Sequence, residues 1–303
     1  MAKPGNIIAQ IYKNVKTHKW ECLHNDCKTL AINTHLGQRN GILSQLIENG
    51  HLIQLKVTDP HKWNKQSPIE FKRIGNKQAI SLPVFCNTHD TSIFKPIESE
   101  NTNIVSYESF LLFSYRTISA EIRKKEIALE QNYRVLRSNT LEGLIDKDRI
   151  QSYAWGLEFG IRDLSILKSK INDEILNNQS KFSFWSIRTV KFEIFASAVM
   201  SIFQVGHKSA EEYEFENLYI HVIPRNNHSI ILVGYHNDYS TKEMKVYCQS
   251  WLNASQEDIE YKLTNLLTNH VENWVMTPSF FDGLTKVKKN KYMNYGLPRN
   301  SGQ

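Results

Sequence analysis

The chain has 303 residues, a formal net charge of +6, and 41% hydrophobic and 11% aromatic content. That is apolar material for one large packed domain or two smaller ones, and mild basicity that permits phosphate contact without demanding it. No apolar run approaches the ~18 residues of a spanning helix. GxxxxGK[ST], GxGxxG, GxSxG and HExxH are also absent, and only 13 glycines occur, so nucleotide-dependent catalysis is disfavoured.

Residues 7–20 carry lysines and aromatics and suit a leading helix or strand. Ile42, Leu43, Leu46 and Ile47 recur at helical spacing and predict a helix over 38–48, stopped at Asn49-Gly50. A strand is expected over 51–57, a polar loop over 59–76, and a second strand over 79–85, where Pro83 suits an edge position. Two long helices follow, over 103–137 and 147–177, joined by the short turn Ser138-Asn-Thr, so that an antiparallel helical hairpin is predicted. On the first, Phe110, Leu111, Phe113, Ile118 and Ile122 mark the apolar face. Arg123, Lys124, Lys125, Arg134 and Arg137 read as the solvated one.

Beyond residue 182 the pattern alternates. One strand is read over 187–195, continuing through 196–204. Residues 218–223 and 229–235 form a hairpin with Asn226-Asn227 at its tip, which makes a three-stranded antiparallel sheet. Helices are predicted over 240–251 and 255–274, the second capped by Ser255-x-x-Asp258, with a short helix starting at Thr277-Pro278 and a loose basic tail over 286–303. The resulting fold class is α+β, in three parts: an N-terminal module over 1–100, a helical hairpin over 101–180 and an α+β region over 181–303.

Three of the four cysteines lie in two knuckles, Cys22-Leu-His-Asn-Asp-Cys27 and Cys86-Asn-Thr-His89, separated by 58 residues. Thiolate sulfur and imidazole nitrogen are what a structural zinc takes, and C-x4-C and C-x2-H each let one tight turn present two ligands to one point. The expected set is therefore Cys22, Cys27, Cys86 and His89 around one zinc ion. His24 lies inside the first knuckle, and His35 is the main rival for the fourth position. Asp90 could orient the His89 imidazole or bind metal itself, and Glu98 is a further carboxylate nearby. The polar flanks His24, Asn25, Asp26 and Lys28 argue against three buried, inert cysteines. The N-terminus, Met1-Ala-Lys-Pro-Gly-Asn6, offers no apolar signal segment, so a reducing, cytoplasmic setting is expected, where metal is favoured over a disulfide.

Two further constellations invite chemistry. His89-Asp90 could serve a metal-dependent nuclease or phosphoesterase, with Glu98 near the metal and His35 as base. The additional histidines that such sites use are missing at the expected spacing. His221, Arg225, His228 and His236 gather on the predicted hairpin and could handle a phosphate, though edge-strand histidines are ordinarily structural.

The knuckle, hairpin and helix-entering ligands over residues 20–100 resemble a treble-clef zinc module, with C-x4-C in place of the usual C-x2-C and a helix inserted before the hairpin. Together with Ala31-Ile-Asn-Thr-His35, Val84-Phe-Cys-Asn-Thr-His-Asp-Thr-Ser-Ile-Phe-Lys-Pro-Ile-Glu98 and Tyr115-Arg116 with Glu121 and Lys124, they resemble uncharacterised bacterial proteins bearing a Phe-Cys-x-x-His-Asp block. The abundance of Lys, Asn and Ile fits an AT-rich bacterial genome. That resemblance implies no settled activity, and a setting among accessory or phage-defence genes. A closed metal site with no spare catalytic set points instead to a zinc-binding protein that acts by interaction with a nucleic acid or a protein partner.

Overall fold

The computed structural model describes residues 3–57, 69–98, 102–201 and 216–295. The chain runs α1 (Pro4–Val15), β1 (Asn33–His35), β2 (His51–Val57), β3 (Ile69–Gly75), β4 (Ser81–Pro83), α2 (Asn87–Glu98), α3 (Tyr107–Leu136) and α4 (Lys147–Asn177). It continues with β5 (Phe182–Val190), β6 (Ile194–Met200), β7 (Leu218–Pro224), β8 (His228–His236), α5 (Lys242–Gln249), α6 (Gln256–Asn269), β9 (Trp274–Met276), α7 (Pro278–Gly283) and α8 (Lys286–Tyr295). The fold is α+β, and among the described residues no helix is long and apolar enough to cross a membrane.

A seven-stranded sheet in the order β3-β2-β9-β6-β7-β8-β5, every pair antiparallel, forms the middle layer. Alternation along the strands sends side chains to two cores. From β6 and β7, Phe195, Tyr219 and Ile223 join Phe110, Phe113 and Ile118 of α3 on one face. Ala196, Ala198, Leu218, Ile220 and Val222 turn to Met244, Cys248, Trp251, Leu263 and Leu266 on the other. With helices on both faces, all of β7 is buried, as a doubly covered strand requires. Gly234 of β8 lies where the sheet meets α3. A Cβ there would sit 2.5 Å from the Ser183 carbonyl oxygen and 2.7 Å from the Phe110 ring.

The long helices form where periodicity placed them. Ser106 and Asp146 cap α3 and α4 by accepting from the backbone N–H groups of Ser109 and Arg149, and the two pack together as a helical pair. Ser255 and Asp258 make the reciprocal capping box of α6. The leading segment is helical, as α1.

Several expectations are corrected. Residues 38–48 form a turn with one short 3-10 segment, Leu43–Gln45, in place of a helix. Ile42, Leu43 and Leu46 are buried all the same, so their spacing reported burial and not conformation. The strand read over 187–195 is two strands, β5 at the sheet edge and β6 in its middle. The link 191–193 passes the end of the β7–β8 hairpin, where Phe192 N–H donates to Ser229 Oγ at 2.9 Å. The three-stranded sheet gains β2 and β3 from residues 51–75 and β9 from residues 274–276, of which Trp274 was expected to end a helix. Of the expected loop over 59–76, residues 69–75 are β3 and Asn76 is a turn, while 59–68 lie outside the described residues, as does the continuation of β6 beyond 201. Residues 79–85 keep only β4, which pairs with β1 and not with β2. The tail begins as α8.

Candidate metal centre

Backbone hydrogen bonds bring the distant knuckles together. Within the first, Cys22 N–H donates to Thr29 O at 2.9 Å and Cys27 N–H to His24 O at 3.2 Å, with Asp26 at φ 60° in a left-handed turn that aspartate tolerates. Between them, Leu23 N–H reaches Val84 O at 2.9 Å and Ile32 N–H reaches Phe85 O at 2.8 Å. The second knuckle then enters α2, so Cys86 and His89 stand at a helix N-terminus, whose dipole favours thiolates.

The ligand atoms of Cys22, Cys27, Cys86 and His89 all lie within 4.8 Å of one another. His89 Nδ1 is 3.4 Å from Cys22 Sγ and 3.3 Å from Cys86 Sγ. At the bond lengths zinc takes to sulfur and nitrogen, a tetrahedron has S–N edges of about 3.5 Å and S–S edges of about 3.8 Å. The two S–N spacings, 3.4 and 3.3 Å, match such edges, and the outer limit of 4.8 Å leaves the group about 1 Å wider than a closed cage. All three cysteines are free thiols, not disulfides. Burial pushes the Cys22 thiol up to about 11, whereas hydrogen bonds from Thr29 hold Cys27 low. Metal uptake would therefore displace protons.

Three thiolates around a divalent ion leave one net negative charge, and two cations flank it. Arg123, 2% exposed, donates to the Glu21 carbonyl, lies 4.7 Å over the Trp20 ring and pairs with Glu126 at 2.9 Å. Lys168 of α4 donates to the Leu23 carbonyl and approaches the Tyr115 ring. Burial lowers the pKa of both, and the charge of Cys22 opposes it. Arg123 is thus no part of the solvated helix face. It packs under the knuckle, while Lys124 bonds Glu121 and Glu272.

The other sequence candidates separate. His24 stacks on His89 with ring centroids 4.0 Å apart, its Nδ1 buried without a partner. Its backbone N–H donates to Cys22 Sγ at 3.4 Å. His35 stands outside the four-donor group, with Nδ1 3.0 Å from Ala79 O. Asp90, pushed up by burial, lies 3.7 Å from Arg116, and Glu98 accepts from Arg116 at 2.6 Å. Arg116 also stacks 3.9 Å over Phe94. Both carboxylates therefore belong to the Arg116 cluster.

The hairpin constellation is dispersed as well. His221 is fully buried between Ser114 and Ser197, His236 Nδ1 accepts from Asp238 N–H, and His228 sits at the tip beside Asn227. Arg225 faces a separate cleft. The roles of Arg123 and Lys168 were not readable from the sequence, which offers no local signal for a partner more than a hundred residues away. Compared with family models, curated proteins and solved structures, the chain finds no match.

Proposed function

We propose that Cys22, Cys27, Cys86 and His89 hold one structural zinc ion in a treble-clef-like module, and that the protein works by binding a nucleic acid or protein partner in a reducing compartment. The observation that carries this reading is the convergence of three thiols and one imidazole to within 4.8 Å of one another from segments 58 residues apart. Zinc bound there contributes folding free energy directly, because the closed site exists only in the folded chain. It clamps the first knuckle to α2, and through Arg123 and Lys168 to the α3–α4 pair.

The hydrolytic reading gains no comparable support. It needs Asp90 and Glu98 as ligands and His35 as base. Among the described residues all three stand outside the four-donor group, and Ala79 O is 3.0 Å from His35 Nδ1. Metal analysis of the purified chain tests the proposal: one zinc per chain is expected, and less than about half an equivalent rejects the site. Anisotropy titrations with labelled single- and double-stranded DNA and RNA at two salt concentrations test the nucleic-acid branch, because phosphate contacts give a salt-dependent affinity.

A further inference from the structure

The turn over 38–45, the end of α2 and the tip of the β7–β8 hairpin enclose a cleft of about 600 Å³, within the range of about 300–1,000 Å³ of small-ligand sites. Ile42, Ile97 and Ile104 give it an apolar floor, while Gln45 and Asn226 bring side-chain amides and Gln38 Nε2 is held by Glu98 O at 2.6 Å. Two opposite charges line it, Arg225 and Glu98.

Arg225 is the unexplained element. Its backbone N–H donates to His228 O at 2.8 Å, which fixes the residue at the hairpin tip. The guanidinium is half-buried, and among the described residues its side chain has no hydrogen-bond or ion-pair partner. Burial lowers its pKa. A guanidinium drawn out of water without a counter-charge is costly, and an incoming anion would relieve that cost.

Glu98 is held from behind by Arg116, 2% exposed, whose Nε and Nη1 are buried without hydrogen-bond partners. The two charged residues that line the cleft, Arg225 and Glu98, are of opposite sign and sum to zero. A neutral setting with separated signs favours a zwitterion over a phosphate dianion.

We propose that this cleft binds a short peptide with free ends, its carboxylate on Arg225, its amino group on Glu98, and its peptide groups on the amide side chains. The proposal is independent of the metal reading. Its test uses the full chain with one equivalent of zinc, incubated with a defined equimolar mixture of tripeptides. Retained peptides are quantified by mass spectrometry. The same mixture as C-terminal amides, the N-acetylated mixture, and AMP serve as parallel probes. At least one tripeptide should be retained, and its C-terminal amide about tenfold less, the loss of one charge-assisted contact. Arg225→Gln should match the amide loss.

Retention of no tripeptide overturns the proposal, as does equal retention of the amidated set or preferential retention of AMP. Undiminished binding of the acetylated set removes Glu98 as the amine site and overturns the zwitterion assignment. Because the amide comparison uses the unaltered protein, the outcome stands even if Arg225→Gln folds poorly.

Discussion

His221 offers a prediction whose magnitude follows from its surroundings. Its ring is fully buried between α3 and the sheet. Ser114 Oγ is 3.0 Å from Nε2 and Ser197 Oγ 2.8 Å from Nδ1, and Ser197 bonds onward to Thr117. Phe110 and Phe113 pack against the ring, and burial depresses its pKa to about 3. The folded chain thus keeps the imidazole neutral, while the unfolded chain takes up a proton below about pH 6.5. With the folded pKa depressed, the unfolded state binds more protons through that window, so stability is complete above pH 6.5 and falls as pH drops towards 3. Between pH 7.5 and 5.5 this one group removes about 1.4 kcal/mol. Urea titrations with excess zinc at both pH values, on the wild type and on His221→Asn, isolate it. The variant is expected to be less stable by about 2–4 kcal/mol at pH 7.5, because it breaks a buried polar network. Its further loss on acidification should be smaller than the wild type's by about 1.4 kcal/mol. Parallel pH dependences for the two proteins would refute a neutral buried His221.

Cys86→Ser removes one of the four donors and should lower zinc content to near zero, with loss of soluble yield, read by elemental analysis and size-exclusion chromatography. Arg123→Met removes a buried cation and leaves Glu126 unpaired. About 3–5 kcal/mol of stability should go, and zinc should pass faster to a chelator, followed with a chromogenic zinc indicator. Gly234→Ala places a Cβ 2.5 Å from the Ser183 oxygen and should cost about 1–3 kcal/mol or more through overpacking, measured by urea titration; an unchanged midpoint would mean that β5 and β8 stand further apart there. Ser255→Ala opens the capping box of α6 and should cost about 1 kcal/mol, visible as a lowered Tm.

The parts legible in the sequence are those whose physics is local. The span of α4 follows from 3.6-residue periodicity, and the α6 cap from two residues three apart. The four donors stood out because each knuckle packs two ligands into one turn. What was not legible depends on pairing across distance. Trp274–Met276 is too short to show a period of two, yet it joins β2 to β6 and so carries β2 and β3 into the main sheet. Helical spacing over 42–47 was misleading because a buried turn at the foot of a core also repeats apolar residues.

The histidines show the same division. His35 was the expected rival ligand, but β1 carries it to Ala79, while His24 remains within the turn and lies against His89. Turn geometry keeps a residue two positions from a ligand close to it, whereas a strand of three residues moves the next candidate roughly 10 Å along the chain. The same reasoning separates the hairpin group. Strand alternation drives His221 into the core, and the turn leaves Arg225 at the rim of the cleft. A chemical cluster inferred from sequence is therefore sound within a turn and unsound along a strand, where neighbours two apart share a face but not a point. The four-donor centre meets that criterion at each knuckle, and the Leu23–Val84 and Ile32–Phe85 backbone bonds supply the one long-range pairing it needs.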